Sequence, residues 1–520
     1  MLVTALFLFI TTLVLCWVYL RAKTRHMAKL AAKIPGPKPS PLWKKIFNRS
    51  TDHMSGDMFF KMVQLSQMYK STFCLWKGYE LFVFVQDIRH IAALLADSEE
   101  VARSCTYKYS KPWLGSSMLL AEGKSAYMFG IVNLGACPCA GEKWKSRRKL
   151  IAPEFRPSNL ESSVKILSSN TDNLLDRLAT FVDGPEFDVH YFMNLHSLDN
   201  VWETLTGAKV DALQNSESKF VKAINNASHM VHSRSMHPLL HLDLLFNMSS
   251  LGRMQAKDVI TVRAGSATAV EDRRRQLLQE GVRNRVPILD TLIELSKKGT
   301  AHDDVDPTTE INAILIAGYE TTAAALGFAC WLLSRHQDIQ EKVLKEQREI
   351  FGDSHRFPTY RDIQQMKYLE MVIKETLRLY PSVPLFGRKL RKDFDVGDFT
   401  IPAGANVMFL AYQIHRNPEL FPDPENFDPD RFLPDTTLRR NPYSYLAFAA
   451  GPRNCMGMKF GLMVTKGTMS ALIRRFKILP GNTPLSLDYT IALKSRTGMK
   501  LRLESRSRHE VANDKTEFLP

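Results

Sequence analysis

The first residues of the chain form an uninterrupted apolar run, and this run constrains the possible folds more than any other feature. It extends from Leu2 to Leu20, LVTALFLFITTLVLCWVYL, and none of its 19 residues is charged. At about 1.5 Å per residue, such a helix spans roughly the ~30 Å hydrocarbon core of a bilayer. The sequence therefore predicts a transmembrane anchor at residues 1–20.

Positive charge follows this run directly, at Arg21, Lys23, Arg25, Lys29 and Lys33. A cleaved signal peptide would carry its charge before a shorter apolar core, and a mitochondrial presequence would be amphipathic. A retained anchor is therefore favoured. By the positive-inside rule, the rest of the chain lies on the cytosolic side of the membrane.

A proline-rich segment comes next, with four prolines between Pro35 and Pro41. Because proline cannot continue a helix, residues 21–41 are predicted to be a basic stretch followed by a stiff, extended hinge. No later stretch has the composition of a linker. Residues 42–505 are therefore expected to form one globular body, and residues 506–520 a polar tail.

Composition and charge limit the classes of function. Apolar residues make up 45 % of the chain and charged residues 24 %, as in a globular protein with a real core. The net charge of +15 calls for an anionic partner such as acidic lipid, an acidic protein surface or nucleic acid. Zinc-finger spacing and basic–aromatic tracts are absent from the sequence, so nucleic acid is not expected. Seven irregularly spaced cysteines indicate a reducing compartment rather than a disulfide framework.

Helical periodicity dominates the body. Alternating runs at 72–85 and 399–409, and others before the tail, predict a few short strands. Helices are predicted at 143–150, 162–181, 255–298, 308–334, 339–351 and 361–380. The expected fold class is mainly α with a small β part.

The segment Phe448–Gly457, FAAGPRNCMG, surrounds Cys455 with residues that restrict the backbone. Gly451 and Gly457 permit a tight turn and the close approach of a flat cofactor. Backbone N–H groups could hydrogen-bond the sulfur, and Arg453 suits a carboxylate. A thiolate on haem iron favours O–O bond cleavage. Judged by these residues alone, a buried free cysteine in a loop remains the favoured interpretation.

Five motifs, in order along the chain, resemble those of the cytochrome P-450 family. Phe448–Gly457 matches the haem-binding signature F-x-x-G-x-R-x-C-x-G at every fixed position. The others are W-x-x-x-R at Trp144–Arg148, the oxygen-binding helix motif at Ala317–Thr322, E-x-x-R at Glu375–Arg378 and the arginine-bearing segment Phe427–Phe432. The resemblance covers nearly the whole chain. It implies a single cytochrome P-450-type fold behind the anchor, with haem b as cofactor and Cys455 as the iron ligand.

The resemblance also assigns residues around the cofactor. Glu375, Arg378 and Arg431 would form a structural network that fixes the loop carrying Cys455. The residues expected to contact haem, several of them through its propionates, are Trp144, Arg148, Gly318, Arg388, Phe448, Gly451, Arg453 and Gly457. For Arg148, a solvated basic helix face is the ordinary alternative.

The oxygen-binding motif carries the predicted catalytic pair. By resemblance, the helix opens at Gly318 to make a groove for O₂ and water. Thr321 would hydrogen-bond the oxygen molecule, and Glu320 would relay protons from solvent. Without the resemblance, a threonine bonded back to a helix carbonyl and an exposed glutamate would be expected.

Three functions are compatible with the haem signature. A monooxygenase would insert one oxygen atom of O₂ into a fatty acid, a steroid or terpenoid, or a xenobiotic. A peroxide isomerase or dehydratase would need no electrons, and a haem-binding protein could be catalytically silent. Because rearranging members often lose the acid–threonine pair, the retained Glu320 and Thr321 favour the monooxygenase.

The partners follow from that choice. NADPH electrons would come through an acidic NADPH–cytochrome P-450 reductase, with cytochrome b5 as a second candidate donor, at the endoplasmic reticulum membrane. The reductase would dock electrostatically on basic residues near the haem. These are Lys143, Lys145, Arg147, Lys149, Lys459 and Lys466.

Within the family, the segments 421–433 and 451–460 most resemble the fatty-acid omega-hydroxylase branch and its insect relatives. Many members of that branch carry, just before the helix glycine, a glutamate that can form an ester with haem. Here that position is Ala317, so non-covalent haem is expected. Ile314, Ala317 and Thr321 share one helix face and, with Pro384, Leu385 and Phe386 opposite, would line an apolar substrate pocket.

Overall fold

The computed structural model of the chain describes residues 2–37, 54–77, 80–99, 102–120, 140–280, 286–298, 305–352 and 354–506. Of the predicted hinge, residues 38–41 lie outside these ranges. The same is true of residues 507–520 of the predicted tail.

Helices make up most of the described chain. They are α1 (Leu2–Ala31), α2 (Met54–Tyr69), α3 (Ile88–Ala96), α4 (Lys111–Leu114), α5 (Ala140–Ile151), α6 (Pro157–Ala179), α7 (Val189–Thr206), α8 (Lys219–Met236), α9 (Asp243–Met248), α10 (Ser250–Glu280), α11 (Pro287–Lys298), α12 (Pro307–Arg335), α13 (Gln337–Phe351), α14 (Tyr360–Gln365), α15 (Lys367–Leu379), α16 (Ala411–Ile414), α17 (Pro434–Arg439) and α18 (Met458–Arg475).

The strands are short and lie beside the helical part. They are β1 (Phe73–Lys77), β2 (Glu80–Phe84), β3 (Phe187–Asp188), β4 (Phe386–Lys389), β5 (Phe394–Asp395), β6 (Thr400–Ile401), β7 (Asn406–Phe409), β8 (Phe476–Pro480), β9 (Leu487–Tyr489), β10 (Leu493–Ser495) and β11 (Lys500–Ser505). One sheet has the order β1-β2-β7-β4, another β3-β11-β8, and β5-β6 and β9-β10 are hairpins. The predicted class, mainly α with a small β part, is confirmed.

Helix α12 is the central element of the body. Its N-terminus is fixed by the Asp306 side chain, which accepts from the backbone N–H of Thr308 at 3.1 Å, and by Pro307 in the first turn. The helix packs along α7 and contacts α10, α15 and α18. Among the helices with side chains described throughout, α12 is long and apolar enough to cross a membrane, but most of it is buried. It is therefore a core helix.

Two predicted helices are divided in the structure. The stretch predicted as 255–298 forms α10 and α11, with Pro287 beginning the second helix. The stretch predicted as 361–380 forms α14 and α15, because Met366 between them adopts ψ 78°, outside the helical range. Helices α7, α8 and α18 were not predicted, although they pack against the centre of the body.

The N-terminal helix continues beyond the predicted anchor and reaches Ala31, because its basic stretch is rich in residues that favour helix. Its last part contacts the β layer. His26 Nε2 lies 2.8 Å from Asp393 Oδ2, and the N–H of Cys74 in β1 donates to the carbonyl of Pro35 at 2.7 Å. The end of α1 is therefore attached to the body through a side chain, and the segment that follows it is attached through its backbone.

Candidate active site

The segment around Cys455 forms a compact turn immediately before α18. The Cys455 N–H donates to the carbonyl of Phe448 at 2.9 Å, and the Asn454 N–H donates to the carbonyl of Gly451 at 3.1 Å. Cys455 lies deep in the protein. Its side chain is nevertheless accessible, because it faces a cavity. Burial raises the pKa of its thiol, against the opposing effects of the Gly457 N–H and of nearby guanidinium groups.

The two glycines of this turn have different roles. Gly451 has φ +72°, and a Cβ there would lie 1.8 Å from the carbonyl oxygen of Leu95 in α3. Gly457 has φ −82°, and its Cβ would meet only the Cys455 sulfur, at 4.0 Å. The close approach at Gly451 is therefore to α3, whereas the sequence predicts the approach of a flat cofactor at both glycines. At Gly457 the missing side chain only keeps space beside the sulfur.

Gly451→Ala is expected to lower the yield of haem-loaded protein by about tenfold or more. The positive φ costs roughly 1 kcal/mol, and the clash with Leu95 adds to it. Gly397→Ala is the matched control, because Gly397 also has a positive φ, +93°, but a Cβ there would meet no atom within 4 Å. Haem content per protein measures the difference. Equal haem content in the two variants would show that the approach to α3 is not needed.

A cavity of about 520 Å³ lies between this turn and α12. Its walls are largely apolar. They include the residues predicted for the substrate pocket except Pro384, which does not line the cavity; those present are Ile314, Ala317, Thr321, Leu385 and Phe386. Phe448, Cys455 and Gly457 lie on the side of the turn, with Gly318 on the side of α12.

One side of the cavity is rich in guanidinium groups. Trp144 lies between two of them, with its ring centroid 4.2 Å from Arg453 Cζ and 5.7 Å from Arg148 Cζ. Arg148 also donates to the carbonyl of Asn454 at 2.9 Å and so connects α5 to the cysteine turn. It does not form the solvated helix face considered above.

Arg388 is the clearest sign of an absent anionic group. Its side chain is buried, its Nη1 has no hydrogen-bond partner, and no carboxylate in the described chain pairs with it. Burial and the neighbouring Arg103 lower the pKa of Arg388 to about 9. Such a cation is costly unless an anion accompanies it. The chemistry of these residues therefore fits the propionates of a haem whose iron faces Cys455.

The Glu375–Arg378 pair at the centre of the predicted structural network is buried, and Arg431 is half-buried beside it. Arg378 donates to both carboxylate oxygens of Glu375, at 2.7 and 2.8 Å, and both side chains have no exposed surface. Arg431 Nε lies 3.5 Å from Glu375. Arg378 also donates to the carbonyls of His415, Pro424 and Asn426. These bonds fix the segment between β7 and the cysteine turn to α15.

On the opposite side of the cavity, Gly318 and Thr321 occupy a continuous helix. The hydroxyl of Thr321 donates to the carbonyl of Ala317 at 2.8 Å. Helix α12 is unbroken at Gly318, so the predicted opening of the helix there is not seen, and Thr321 makes the bond back to a helix carbonyl that was the ordinary alternative. A Cβ at Gly318 would lie 3.3 Å from Val201, which shows that α7 packs closely here.

Glu320 differs from the expected solvent-facing acid. It is buried, and its carboxylate accepts hydrogen bonds from Ser228 of α8 and, at 3.4 Å, from Thr490 in the β9–β10 connection. Burial raises the pKa of Glu320, which favours the proton-carrying form. The carboxylate is therefore held by hydroxyl groups of two other segments and does not face solvent directly.

The family model for cytochrome P450 matches residues 133–501. The chain belongs to the cytochrome P450 family.

Relatives extend the match beyond that range. Cytochrome P450 4c3 of Drosophila melanogaster is 30 % identical over 96 % of this chain and 94 % of its own length. Cytochrome P450 4V2 of Mus musculus is 31 % identical, with 83 % of this chain and 82 % of that protein covered. The predicted resemblance to the fatty-acid omega-hydroxylase branch and its insect relatives is thus confirmed. The protein is a haem-thiolate P450 monooxygenase.

A solved structure supports the fold independently. The crystal structure of the cytochrome P450DA heme domain aligns with a TM-score of 0.78 at 19 % identity, covering 92 % of this chain and 98 % of that one. The predicted cytochrome P-450-type fold is confirmed.

Two residues assigned to the docking surface of this P450 are buried, and that part of the prediction is wrong. Arg147 donates to Glu310 of α12 at 2.7 Å, and both side chains are almost inaccessible. Lys466 pairs with Glu370 of α15 at 3.0 Å and is likewise buried. Their carboxylate partners lie far away in sequence, so the basic run around each residue looked uniformly exposed.

Several residues around the P450 cavity had no signal in the sequence. Arg103 lines the cavity, bridges to Arg388 through the backbone and acts electrostatically on Cys455. Ser228 and Thr490 reach Glu320 from segments 92 and 170 residues away. No motif or spacing connects these segments, so only tertiary structure could identify them.

Proposed function

We propose that this P450 inserts one atom of O₂ into a C–H bond of a small apolar molecule, with NADPH electrons that a reductase delivers. The apolar cavity between Cys455 and Thr321 carries the proposal, because it offers an apolar substrate a place beside both groups. A fatty acid, a steroid or terpenoid, and an apolar xenobiotic all have suitable chemistry. When bound, a thiolate-ligated haem supplies O₂ activation by favouring O–O cleavage.

The chain's own residues would supply protons and exclude water. We place Thr321 Oγ1 as the hydroxyl nearest the reacting oxygen and Glu320 as the proton store behind it. Ser228 is the next group outward, because its hydroxyl already donates to Glu320. In this scheme α8 completes the proton path as well as a cavity wall.

The test is a carbon-monoxide difference spectrum of reduced membranes, followed by turnover of a panel of apolar substrates. Product that depends on both NADPH and reductase supports the proposal. Consumption of a lipid hydroperoxide without NADPH would instead identify a peroxide isomerase or dehydratase. A normal spectrum with neither reaction would identify a catalytically silent haem protein.

We propose that the haem b is bound without a covalent link. Ala317 offers no carboxylate at the position where many members of this branch carry glutamate. The carboxylates of the described cavity wall are engaged elsewhere: Glu154 with Asn159 and Thr291, Glu310 with Arg147, and Glu320 with Ser228. Acid extraction should therefore release all haem. Haem retained on the protein would contradict the proposal.

We also propose a single-pass location in the endoplasmic reticulum membrane, with the body on the cytosolic side. Two surfaces support it. Phe7 and Leu15 of α1 are exposed large apolar residues. Around α9, Leu239, Leu244 and Met248 are exposed as well. Apolar surface of this extent calls for a lipid or protein cover.

Replacing Val14 and Leu15 together by arginine should release the protein from membranes during alkaline carbonate extraction. Each charge at a membrane-helix centre costs about 2.5–3.5 kcal/mol. Leu438→Arg, at an exposed leucine of α17, is the control and should leave the protein in the membrane pellet. Wild-type protein in the supernatant would argue against the anchor.

For the reductase, and for cytochrome b5 as a second donor, we propose docking on the exposed lysines around the cysteine turn. Lys145 and Lys149 lie on α5, which contacts that turn through Arg148, and Lys459 follows it. Arg147 and Lys466 are buried. Among the residues that the structure describes, these three lysines are therefore the exposed members of the predicted docking surface. The side chain of Lys143 lies outside the described residues.

Reversing Lys145 and Lys149 to glutamate should slow reduction by the reductase about tenfold at low salt, because favourable charge steers the encounter. The difference from wild type should shrink at high salt. The control is Lys222→Glu on α8, a helix at the opposite cavity wall. The reductase should reduce this variant at the wild-type rate. Stopped-flow reduction under carbon monoxide measures these rates. An unchanged rate in the double variant would remove α5 from the docking surface.

A further inference from the structure

His415 has a fully buried side chain with a hydrogen-bond partner at each ring nitrogen. Its Nδ1 lies 3.1 Å from the carbonyl oxygen of Arg378. Its Nε2 lies 2.7 Å from the backbone nitrogen of Leu446. Arg378 and Leu446 are themselves almost inaccessible, so water cannot replace these bonds.

The two partners determine the state of the ring. A carbonyl oxygen can only accept, so Nδ1 must carry the hydrogen. A backbone N–H can only donate, so Nε2 must present its lone pair. The imidazole is therefore neutral and in a single tautomer. Burial, which lowers the pKa of His415 to about 3, keeps it neutral.

The bridge joins two parts of the site already described. Arg378 belongs to the buried network with Glu375, and its carbonyl lies in the last turn of α15, where an intrahelical partner is missing. Leu446 lies just before the cysteine turn, and its carbonyl accepts from the Ala449 N–H at 2.9 Å. The ring of His415 thus connects the end of α15 to the start of the segment that presents Cys455.

A second contact holds the same segment. Tyr445, adjacent to Leu446, stacks on the His415 ring with centroids 5.2 Å apart and planes inclined by 19°. Its hydroxyl donates to the carbonyl of Lys374, also in α15, at 3.0 Å. Two consecutive residues at the start of the turn are therefore fixed to two turns of one helix.

We infer that His415 is a positioning residue for the thiolate ligand, because its imidazole sets the distance between α15 and the cysteine turn through two backbone hydrogen bonds. A side chain that only filled space would be replaceable by any apolar group of similar size. Loss of the imidazole would instead leave a buried carbonyl and a buried N–H without partners, at the base of the turn. The inference concerns ligand geometry and is independent of the substrate.

Three variants of the full-length protein test this role. His415→Phe keeps a ring against Tyr445 but removes both hydrogen bonds. His415→Gln retains one donor and one acceptor. His196→Phe is the matched control, since His196 is equally buried but pairs with Thr468 between α7 and α18, away from the turn. The measurement is the share of total haem whose reduced carbon-monoxide complex shows the thiolate-type band.

In His415→Phe, the ratio of thiolate-ligated to other haem should fall on the order of tenfold, the effect of leaving a buried polar group unpaired. His415→Gln should recover most of this loss. His196→Phe should lower the unfolding midpoint and keep the wild-type ratio. A wild-type ratio of thiolate-ligated to other haem in His415→Phe would overturn the inference. A ratio in His415→Gln that is no higher than in His415→Phe would overturn it as well.

If His415→Phe accumulates no haem protein, His415→Asn replaces it. Asparagine is too short to reach both partners, so its thiolate share should lie clearly below that of glutamine. Equal shares in the two amide variants would show that the bridge between α15 and Leu446 is not what holds the turn.

Discussion

Cys455→Ser will abolish the thiolate-type band of the reduced carbon-monoxide complex and reduce monooxygenation to background. A serine hydroxyl does not ionise at neutral pH and cannot replace the anionic sulfur. Burial raises the pKa of the Cys455 thiol, and a bound metal would favour the ionised form. The Gly457 N–H and the guanidinium groups of Arg148 and Arg103 act in the same direction as the metal.

Cys330→Ser controls for the loss of a cysteine. Cys330 lies in the middle of α12, is fully buried and has a pKa raised to about 12 by that burial. Its replacement will lower stability and leave the band unchanged in whatever protein folds. A thiolate-type band in the Cys455 variant would mean that another cysteine holds the iron.

The second large effect is expected at Arg378. Arg378→Met removes five hydrogen bonds at once and leaves the buried Glu375 carboxylate with only Arg431 and the Asp428 N–H beside it. Breaking a buried pair in this way costs about 3–5 kcal/mol. The variant should yield little folded protein and almost no haem incorporation, measurable by urea unfolding and by haem content.

Arg275→Met is a control with the same sequence spacing. Arg275 pairs with Asp272 at i, i+3 on α10, but both side chains are more than half exposed. Such pairs contribute only about 0.3–0.5 kcal/mol. Similar losses in the two variants would show that burial of the Glu375–Arg378 pair is not responsible.

The parts of the fold predicted from sequence are those whose signals are local. The start of α12 was visible because Asp306 and Pro307 precede a long apolar run. The hairpin of β1 and β2 was visible as an alternating pattern. Helix α7 was missed because almost every side chain from Val189 to Trp202 is buried or half-buried, which leaves no polar face to mark a helical period.

The same distinction holds in the site. Cys455 and its glycines were found because the whole turn is contained in ten consecutive residues. Glu320 was found as a residue, but its burial was not, since Ser228 and Thr490 come from distant segments. Arg147 was misplaced for the same reason, because its partner Glu310 is 163 residues away. Long-range pairing decides which charges of a basic chain face water.

The attachment of α1 to the β layer affects how the protein meets its electron donor. His26 contacts Asp393 and Pro35 bonds to β1, so in the anchored form that we propose the body is held at one tilt above the bilayer. A reductase diffusing in the same membrane would then search in two dimensions and at a constant height. Lys145 and Lys149 would meet it with most rotational freedom already removed, so less orientational entropy would be lost at each encounter.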